Sequence, residues 1–432
     1  MAGRCAVSET VSRPNLLPDT ELAQRLFAEL REKSFDGVGI TREAYGPGER
    51  MAHALVRREA EALGLEIATD PVGNLYMTLP GADRALPRIL TGSHMDSVPQ
   101  GGNFDGAAGV LAGLAAVAGL KRAGLTPPRD VTVMAIRSEE AGAWFPTSYP
   151  GSRGALGRLK AEELQVRRQD SGRTLADHMR EEGFDPGFAE RGEAYITPAN
   201  TAAFVELHIE QGPVLDAEEV PVAIVSGIPG SRRLRQGRVL GEYNHSGGTP
   251  RRYRRDAAIA LAELAVALDD EWARLEGHGH KLVCTFCTLA TTEEAGFTKI
   301  PGEATFMLDV RSVNPASVDA IFAELSRKVP EIEARRGVRF DLGPETGSLA
   351  SPMDAGLRAG LARAAEAVGV RHIEMASGGG HDAAAFGAAG IPTSMLFVRN
   401  QNGSHNPHEA MRDEDFAEAC KVLTRFFAEA PV

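Results

Sequence analysis

Four times along the chain an apolar run ends abruptly in a cluster of His, Asp, Glu and Gly. These are PRILTGSHMDSV from Pro87, DVTVMAI into RSEE from Asp130, FVELHIEQG from Phe204 and TSMLFV into RNQNGSHNPHE from Thr393. Between the first two lies a Gly/Ala-rich helix predicted over Ala107 to Ala123, so strands alternate with helices. Polar clusters just past strand carboxyl ends indicate an α/β sheet whose site lies along that edge.

The rest of the chain hangs on this frame. Helical apolar spacing covers residues 18 to 34 and 48 to 64, the second run stopping at Gly64 before the short strand LEIAT. A further helical stretch is expected near 172 to 190. Residues 222 to 345 change character, with strands VAIVSGI, RLRQGRVLGEYNH, KLVCTFCTLA, GEATFMLDVR and VRFDL, and helices near Arg254 to Leu275 and Ala316 to Arg335. Antiparallel strands with two helices read as a separate α+β unit inserted into the α/β domain. With 432 residues, the chain exceeds what one core usually supports. The expected division is an α/β domain with a mixed sheet in two segments, 1–215 and 347–432, around an inserted α+β unit, 216–346.

Charge and cysteine usage exclude several classes. A formal net charge of −12 opposes a phosphate backbone as partner, since nucleic-acid binders gain affinity from clustered Lys and Arg. The one dense basic run, Arg251, Arg252, Arg254 and Arg255, reads as a solvated face or the edge of an anion site. Four cysteines are too few and scattered for a disulfide framework, with Cys5 and Cys420 near opposite ends, and a reducing compartment is expected. Cys284 and Cys287 form a C-x-x-C inside LVCTFCTLA, read as core cysteines of a buried strand. Arg4 and Arg13 precede no apolar signal region, and no window approaches ~18 uninterrupted apolar residues. The expectation is a cytoplasmic protein without membrane partners.

Of 11 histidines, His94, His208, His381 and His405 fall in the polar clusters at strand ends. His94 is followed by Asp105 in GGNFDG, the pair Glu139 and Glu140, His208 and His405. Imidazole and carboxylate together suit zinc, manganese, cobalt or nickel, and several carboxylates beside two or three His imply two ions sharing a bridging ligand.

In order along residues 20 to 430, SHMDSVPQGGNFDG, SEE, ELHIEQGPVL, HSGGTP, IPGEATFMLDVR, SGGGHDA and GSHNPHE resemble the amidase branch of the M20 metallopeptidase-like family. That branch includes N-carbamoyl-L-amino-acid hydrolases, allantoate amidohydrolases and β-ureidopropionases. The resemblance implies two divalent metal ions per subunit, with His94, Asp105, Glu140, His208 and His405 as ligands, Asp105 bridging and Glu139 the general base. It implies that Asp96 orients His94, that His245 polarises the substrate carbonyl from the partner subunit of a homodimer, and that Arg311 binds the substrate carboxylate. Gln211, Gly379 and Gly380 align with further substrate contacts. A guanidinium suits a carboxylate bidentately, although Arg311 is also placed for a strand-end ion pair with Asp309.

The inserted unit becomes a lid and dimerisation domain, the site lies between domains, and the substrate is a small carboxylate such as an N-carbamoyl amino acid. Three departures bear on substrate identity: Thr298 stands where Asn is common, Trp144 and Phe145 follow the Glu pair with one extra residue, and Gly247, Gly248 and Thr249 precede Arg251 where Met is usual. The alternatives are an M20 aminoacylase or dipeptidase with the same metals, a catalytically silent binder of a small acid, and a nucleic-acid module on the Arg251–Arg255 run.

Overall fold

The computed structural model describes residues 16–140 and 142–430, so Arg4, Cys5 and Arg13 lie outside the described residues. Contacts divide the chain into two units, Met1–Ser226 with Met353–Val432, and Gly227–Pro352. The first is α/β, built on an eight-stranded mixed sheet in the order Glu66–Thr69, Leu75–Leu79, Val131–Ile136, Arg88–His94, Thr201–Ile209, Thr393–Val398, Val222–Val225, His372–Met375. The four strands that run into polar clusters lie side by side at its centre, parallel to one another. Their carboxyl ends therefore share one edge, where loops can converge.

The helix Ala107–Arg122 shows why small residues were needed here. Every residue from Ala107 to Leu120 is buried, and a Cβ on Gly109 would sit 2.2 Å from the Leu207 carbonyl oxygen. Only glycine allows the helix to approach the strand Thr201–Ile209 so closely. The helix Asp413–Glu429 contributes Phe416, Phe426 and Phe427 to the same core. The expected helix near 172 to 190 is two short ones, Leu175–Glu181 and Pro186–Glu190, separated at Gly183 with φ +85°. Among the described residues, no helix is long and apolar enough to cross a membrane.

The strand Val222–Val225 belongs to this sheet, antiparallel to Thr393–Val398 and parallel to His372–Met375. The sequence grouped it with the inserted unit, because four buried apolar residues carry no record of which neighbour they pair with. The strands Leu75–Leu79 and His372–Met375 and the helices Pro150–Ala155 and Asp382–Ala388 were not anticipated.

The second unit is an antiparallel sheet in the order Val283–Thr291, Glu303–Ser312, Gly230–Leu240, Arg339–Asp341. Along Glu303–Ser312 buried residues alternate with more exposed ones. Phe306, Leu308 and Val310 share a core with Leu261 and Leu264 of the helix Ala257–Gly277 and Ile321 and Leu325 of the helix Pro315–Arg336. One face is thus packed and the other open, as antiparallel sheets allow. This corrects the reading of LVCTFCTLA as a buried strand. Val283–Thr291 lies at the edge with most residues exposed and a bulge between Phe286 and Thr288, so Cys284 is buried but Cys287 is exposed.

Candidate metal centre and active site

The candidate side chains of the first unit lie at the ends of the central strands or on the loops that follow them. His94 ends the strand Arg88–His94, and its Nδ1 lies 3.1 Å from the Asp96 carbonyl oxygen. His208, near the end of Thr201–Ile209, presents Nδ1 to the Ile209 carbonyl at 2.9 Å. A ring nitrogen facing a carbonyl is the donor, so in the neutral rings both Nε2 atoms carry free lone pairs. They point at one atom: Asp105 Oδ1 lies 3.1 Å from His208 Nε2 and 3.5 Å from His94 Nε2. The other oxygen, Oδ2, lies 3.3 Å from His405 Nε2, which is 3.5 Å from Glu140 Oε2.

The turn after Ile136 is fixed from three sides. Asn74 Oδ1 accepts from the Arg137 amide, Glu49 accepts from the Ser138 amide and from the Arg137 guanidinium, and the two oxygens of Asp96 accept from the amides of Glu139 and Glu140 at 3.0 and 3.2 Å. Asp96 therefore anchors the Glu pair as well as standing beside His94, where its Oδ1 is 3.4 Å from Nδ1. Glu139 Oε2 is 3.8 Å from His94 Nε2. Trp144 ties the following loop down, donating from its indole to the Ser97 carbonyl at 2.8 Å.

Asp105 is aimed by what surrounds it. Glu409 accepts from the amides of Phe104 and Asp105, the Ser404 hydroxyl stands 2.6 Å from both Asp105 Oδ2 and Glu409 Oε2, and the Gln211 amide donates to Asp105 Oδ2 at 2.8 Å. Four non-glycine residues of this region, Ser138, Tyr149, Gln211 and His405, have φ between +54° and +63°. Such strain persists where surroundings over-determine it and gathers at functional sites.

The electrostatics show a buried acid cluster short of cations. Burial pushes Glu139 well above the usual carboxylate range and Glu140 up to about 7. Burial also opposes the charged form of His94, but Glu139, Asp105 and Asp96 outweigh it and raise the ring well above its ordinary value. Arg42, fully buried, gives its Nε to the Met95 carbonyl at 2.7 Å. The His381 ring centroid lies 4.4 Å from that of His208, and its Nε2 is 3.0 Å from the Ser377 hydroxyl; with Glu206 it forms a further cluster of donor atoms around His208.

The donor set fits divalent metal. His94, Asp105 and His208 offer ligand atoms all within 4.8 Å of one another, as do Asp105, Glu140 and His405. Nitrogen and oxygen ligands of one tetrahedral ion at about 2.0–2.2 Å stand roughly 3.3 Å apart, close to the spacings found here. The buried atoms Asp105 Oδ1 and Glu140 Oε1 have no hydrogen-bond partner, an unfavourable state for a carboxylate oxygen that metal coordination would relieve.

Of the residues expected at the substrate, Gln211, Gly379 and Gly380 belong to this unit. A Cβ on Gly379 would meet Gln211 Oε1 at 3.4 Å, and one on Gly380 would meet the Tyr149 hydroxyl at 2.0 Å, so Tyr149, not anticipated from sequence, stands against the glycine loop. His245 and Arg311 belong to the second unit. His245 is exposed, and its Nδ1 accepts from the amides of Gly247 and Gly248 at 3.1 and 2.8 Å. Thr298 lies beside that turn, its carbonyl accepting from the Ser246 amide. Arg311 gives Nε and Nη2 to Asp309 Oδ2 at 2.9 and 2.7 Å, and Arg233 meets the other oxygen at 3.1 Å.

The sequence matches peptidase family M20/M25/M40 over residues 90–429. It is 34% identical over 389 residues to an allantoate amidohydrolase of Escherichia coli (strain K12), covering 89% of this chain and 91% of that one. It is 33% identical over 413 residues to an N-carbamoyl-L-amino-acid amidohydrolase of Paenarthrobacter aurescens, covering 93% and 97%. A hydantoinase/carbamoylase family amidase from Burkholderia ambifaria superposes with a TM-score of 0.84 at 31% identity, covering 95% and 96%. With this fold and these relatives, the chain belongs to peptidase family M20/M25/M40, in its branch of hydantoinase/carbamoylase amidases, hydrolases of non-peptide C–N bonds.

Proposed function

We propose that the protein hydrolyses the C–N bond of an N-carbamoyl amino acid or related ureido acid such as allantoate, with two divalent ions held by His94, Asp105 and His208 and by Asp105, Glu140 and His405. The observation that carries this is Asp105, which turns one oxygen to His94 and His208 and the other to His405, the disposition of a bridging ligand. Bound there, such ions supply an electrophile for a carbonyl oxygen and lower the pKa of water.

The chain's own residues do the rest. Glu139, its backbone pinned by Asp96, accepts a proton from the attacking water and returns it to the leaving nitrogen. Gln211 holds Asp105 and, with Gly379 and Gly380, forms the rim at which substrate sits. Because His245 Nδ1 accepts two amides, the neutral ring carries its proton on Nε2, where it donates to the substrate carbonyl of the partner subunit. Arg311 takes the substrate carboxylate by dividing its donors between that group and Asp309, and the second unit acts as lid and dimerisation domain.

The test is a panel of N-carbamoyl amino acids, allantoate, ureidopropionate, N-acetyl amino acids and dipeptides, assayed after chelation and reloading with zinc, manganese or cobalt. Turnover of ureido acids that vanishes on chelation is expected, while full activity in metal-free protein or turnover of peptides alone refutes the proposal. For the subunit arrangement, inactive Glu139→Gln and His245→Ala variants should partly restore each other when mixed. A strictly monomeric active enzyme would exclude that part.

A further inference from the structure

The second unit holds a concavity of about 740 Å³ whose wall is dominated by Arg251, Arg252, Arg254, Arg255, Arg335 and Arg336. Guanidinium groups do not deprotonate in proteins, so six positive charges persist there at every working pH. In a chain of net charge −12 this concentration of positive charge, with Glu263 the one acid in the lining, is a local construction, and a concave surface lined mostly by one sign focuses its field.

The six differ in how their charge is spent. Glu263 takes both Arg335, at 2.7 Å, and Arg336. Arg254 gives its donors to the carbonyls of Thr249 and Ser246, bracing the turn after His245. Arg255 approaches Glu242 only to 3.7 Å, with both side chains more than half exposed. The Arg252 guanidinium lies over the Tyr253 ring, 4.7 Å from its centroid, and neither Arg252 nor Arg251 has a carboxylate partner in an ion pair among the described residues. Two forks, those of Arg251 and Arg252, are thus left to an incoming anion, with Arg255 held only by an exposed pair at 3.7 Å and Glu263 already committed.

We propose that this concavity binds a small anion carrying a di- or triphosphate group, at a site that shares no residue with the metal centre. Arginine forks match phosphate oxygens bidentately, and two forks together favour a multiply charged ligand over a single phosphate. The volume falls in the usual range for small-molecule sites, roughly 300–1,000 Å³. Apart from Tyr253 its lining offers no large apolar group, which disfavours an apolar ligand. Because Arg254 braces the His245 turn from the same wall, an occupant lies next to the segment that presents His245.

The test is calorimetric titration of the full-length, metal-loaded protein with inorganic triphosphate and, separately, orthophosphate, in excess magnesium so that chelation is buffered. The same titrations are run on Arg251→Ala/Arg252→Ala and on Arg251→Lys/Arg252→Lys. Saturable triphosphate binding that weakens with salt is expected, at least tenfold tighter than orthophosphate, at least tenfold weaker in the alanine variant and partly kept in the lysine variant. These side chains are exposed, so the variants should unfold at the wild-type temperature. Equal triphosphate binding by wild type and the alanine variant, equal affinity for the two phosphates, or no saturable binding would overturn the proposal. Tight binding of single-stranded RNA that displaces triphosphate through the same arginines would overturn it too, since the ligand would then be a macromolecule.

Discussion

Gly106 sits between Asp105 and the helix Ala107–Arg122, and replacing it with alanine tests the geometry of the centre directly. Its φ and ψ are +66° and −51°, and the Ala107 amide donates to the Asp105 carbonyl at 2.7 Å. This is a γ-turn of the strained hand, rare for any residue with a side chain. Holding alanine there costs about 1–3 kcal/mol. The added Cβ would also lie 2.4 Å from His94 Cε1 and 2.5 Å from both ring nitrogens, so the ring must move. Overpacking of this kind costs about another 1–3 kcal/mol.

Gly124 supplies the control. Its φ is +63° and a Cβ there would meet nothing within 4 Å, so Gly124→Ala carries backbone cost alone, roughly 1–2 kcal/mol. The assay is urea unfolding of the metal-free protein together with calorimetric manganese binding. Gly106→Ala should lose about 2–6 kcal/mol, the sum of the two costs, and bind manganese at least tenfold more weakly, while Gly124→Ala should keep wild-type metal affinity. If both variants unfold alike and bind metal alike, the γ-turn does not hold His94 and Asp105 in register.

Three further outcomes follow from the same structure. Glu139→Gln should keep its metals and lose about two to four orders of magnitude in kcat, and near-normal kcat with metals bound would remove Glu139 as the base. Glu49→Ala leaves Arg137 buried without its partner and should cost about 3–5 kcal/mol. Glu49→Gln, which keeps an acceptor for the Ser138 amide, should cost less, and equal losses in thermal unfolding would refute that role. Against burial, hydrogen bonds from Arg153 and Thr147 bring Glu163 down to about 2 from 4.5. Its folded pKa lies below its unfolded one, so its stabilisation is complete above pH 4.5 and lost as pH falls toward 2. Stability measured against pH should therefore be flatter over that window in Glu163→Gln, and an unchanged slope would show that the ion pair is not formed.

The strand edge and the chemistry gathered on it were legible in the sequence, because both are local. An apolar run followed at once by His, Asp or Glu announces a strand end that delivers a polar group, and four such runs in one α/β pattern can share an edge in few ways. His94, Glu140 and His208 stand at or just past such strand ends, whereas the full set with Asp105 and His405 came from the resemblance to the M20 amidases, and the structure brings the five together. What supports them was not legible. Glu49 on the helix Pro47–Ala62, Asn74 and Glu409 are separated from the backbone amides they hold by tens to hundreds of positions, Tyr149 stands against Gly380 from as far away in the chain, and each alone reads as an ordinary surface or loop residue. The partner of Val222–Val225 was hidden for the same reason, since four apolar residues fit any sheet. The open edge of Val283–Thr291 was hidden too, because exposure depends on which faces the helices leave uncovered. Sequence fixes which groups a short segment can present, through the period of its backbone and the chemistry of its side chains. Which distant groups then meet, and so which carboxylate is aimed and which arginine is left without a partner, is decided only when the chain closes on itself.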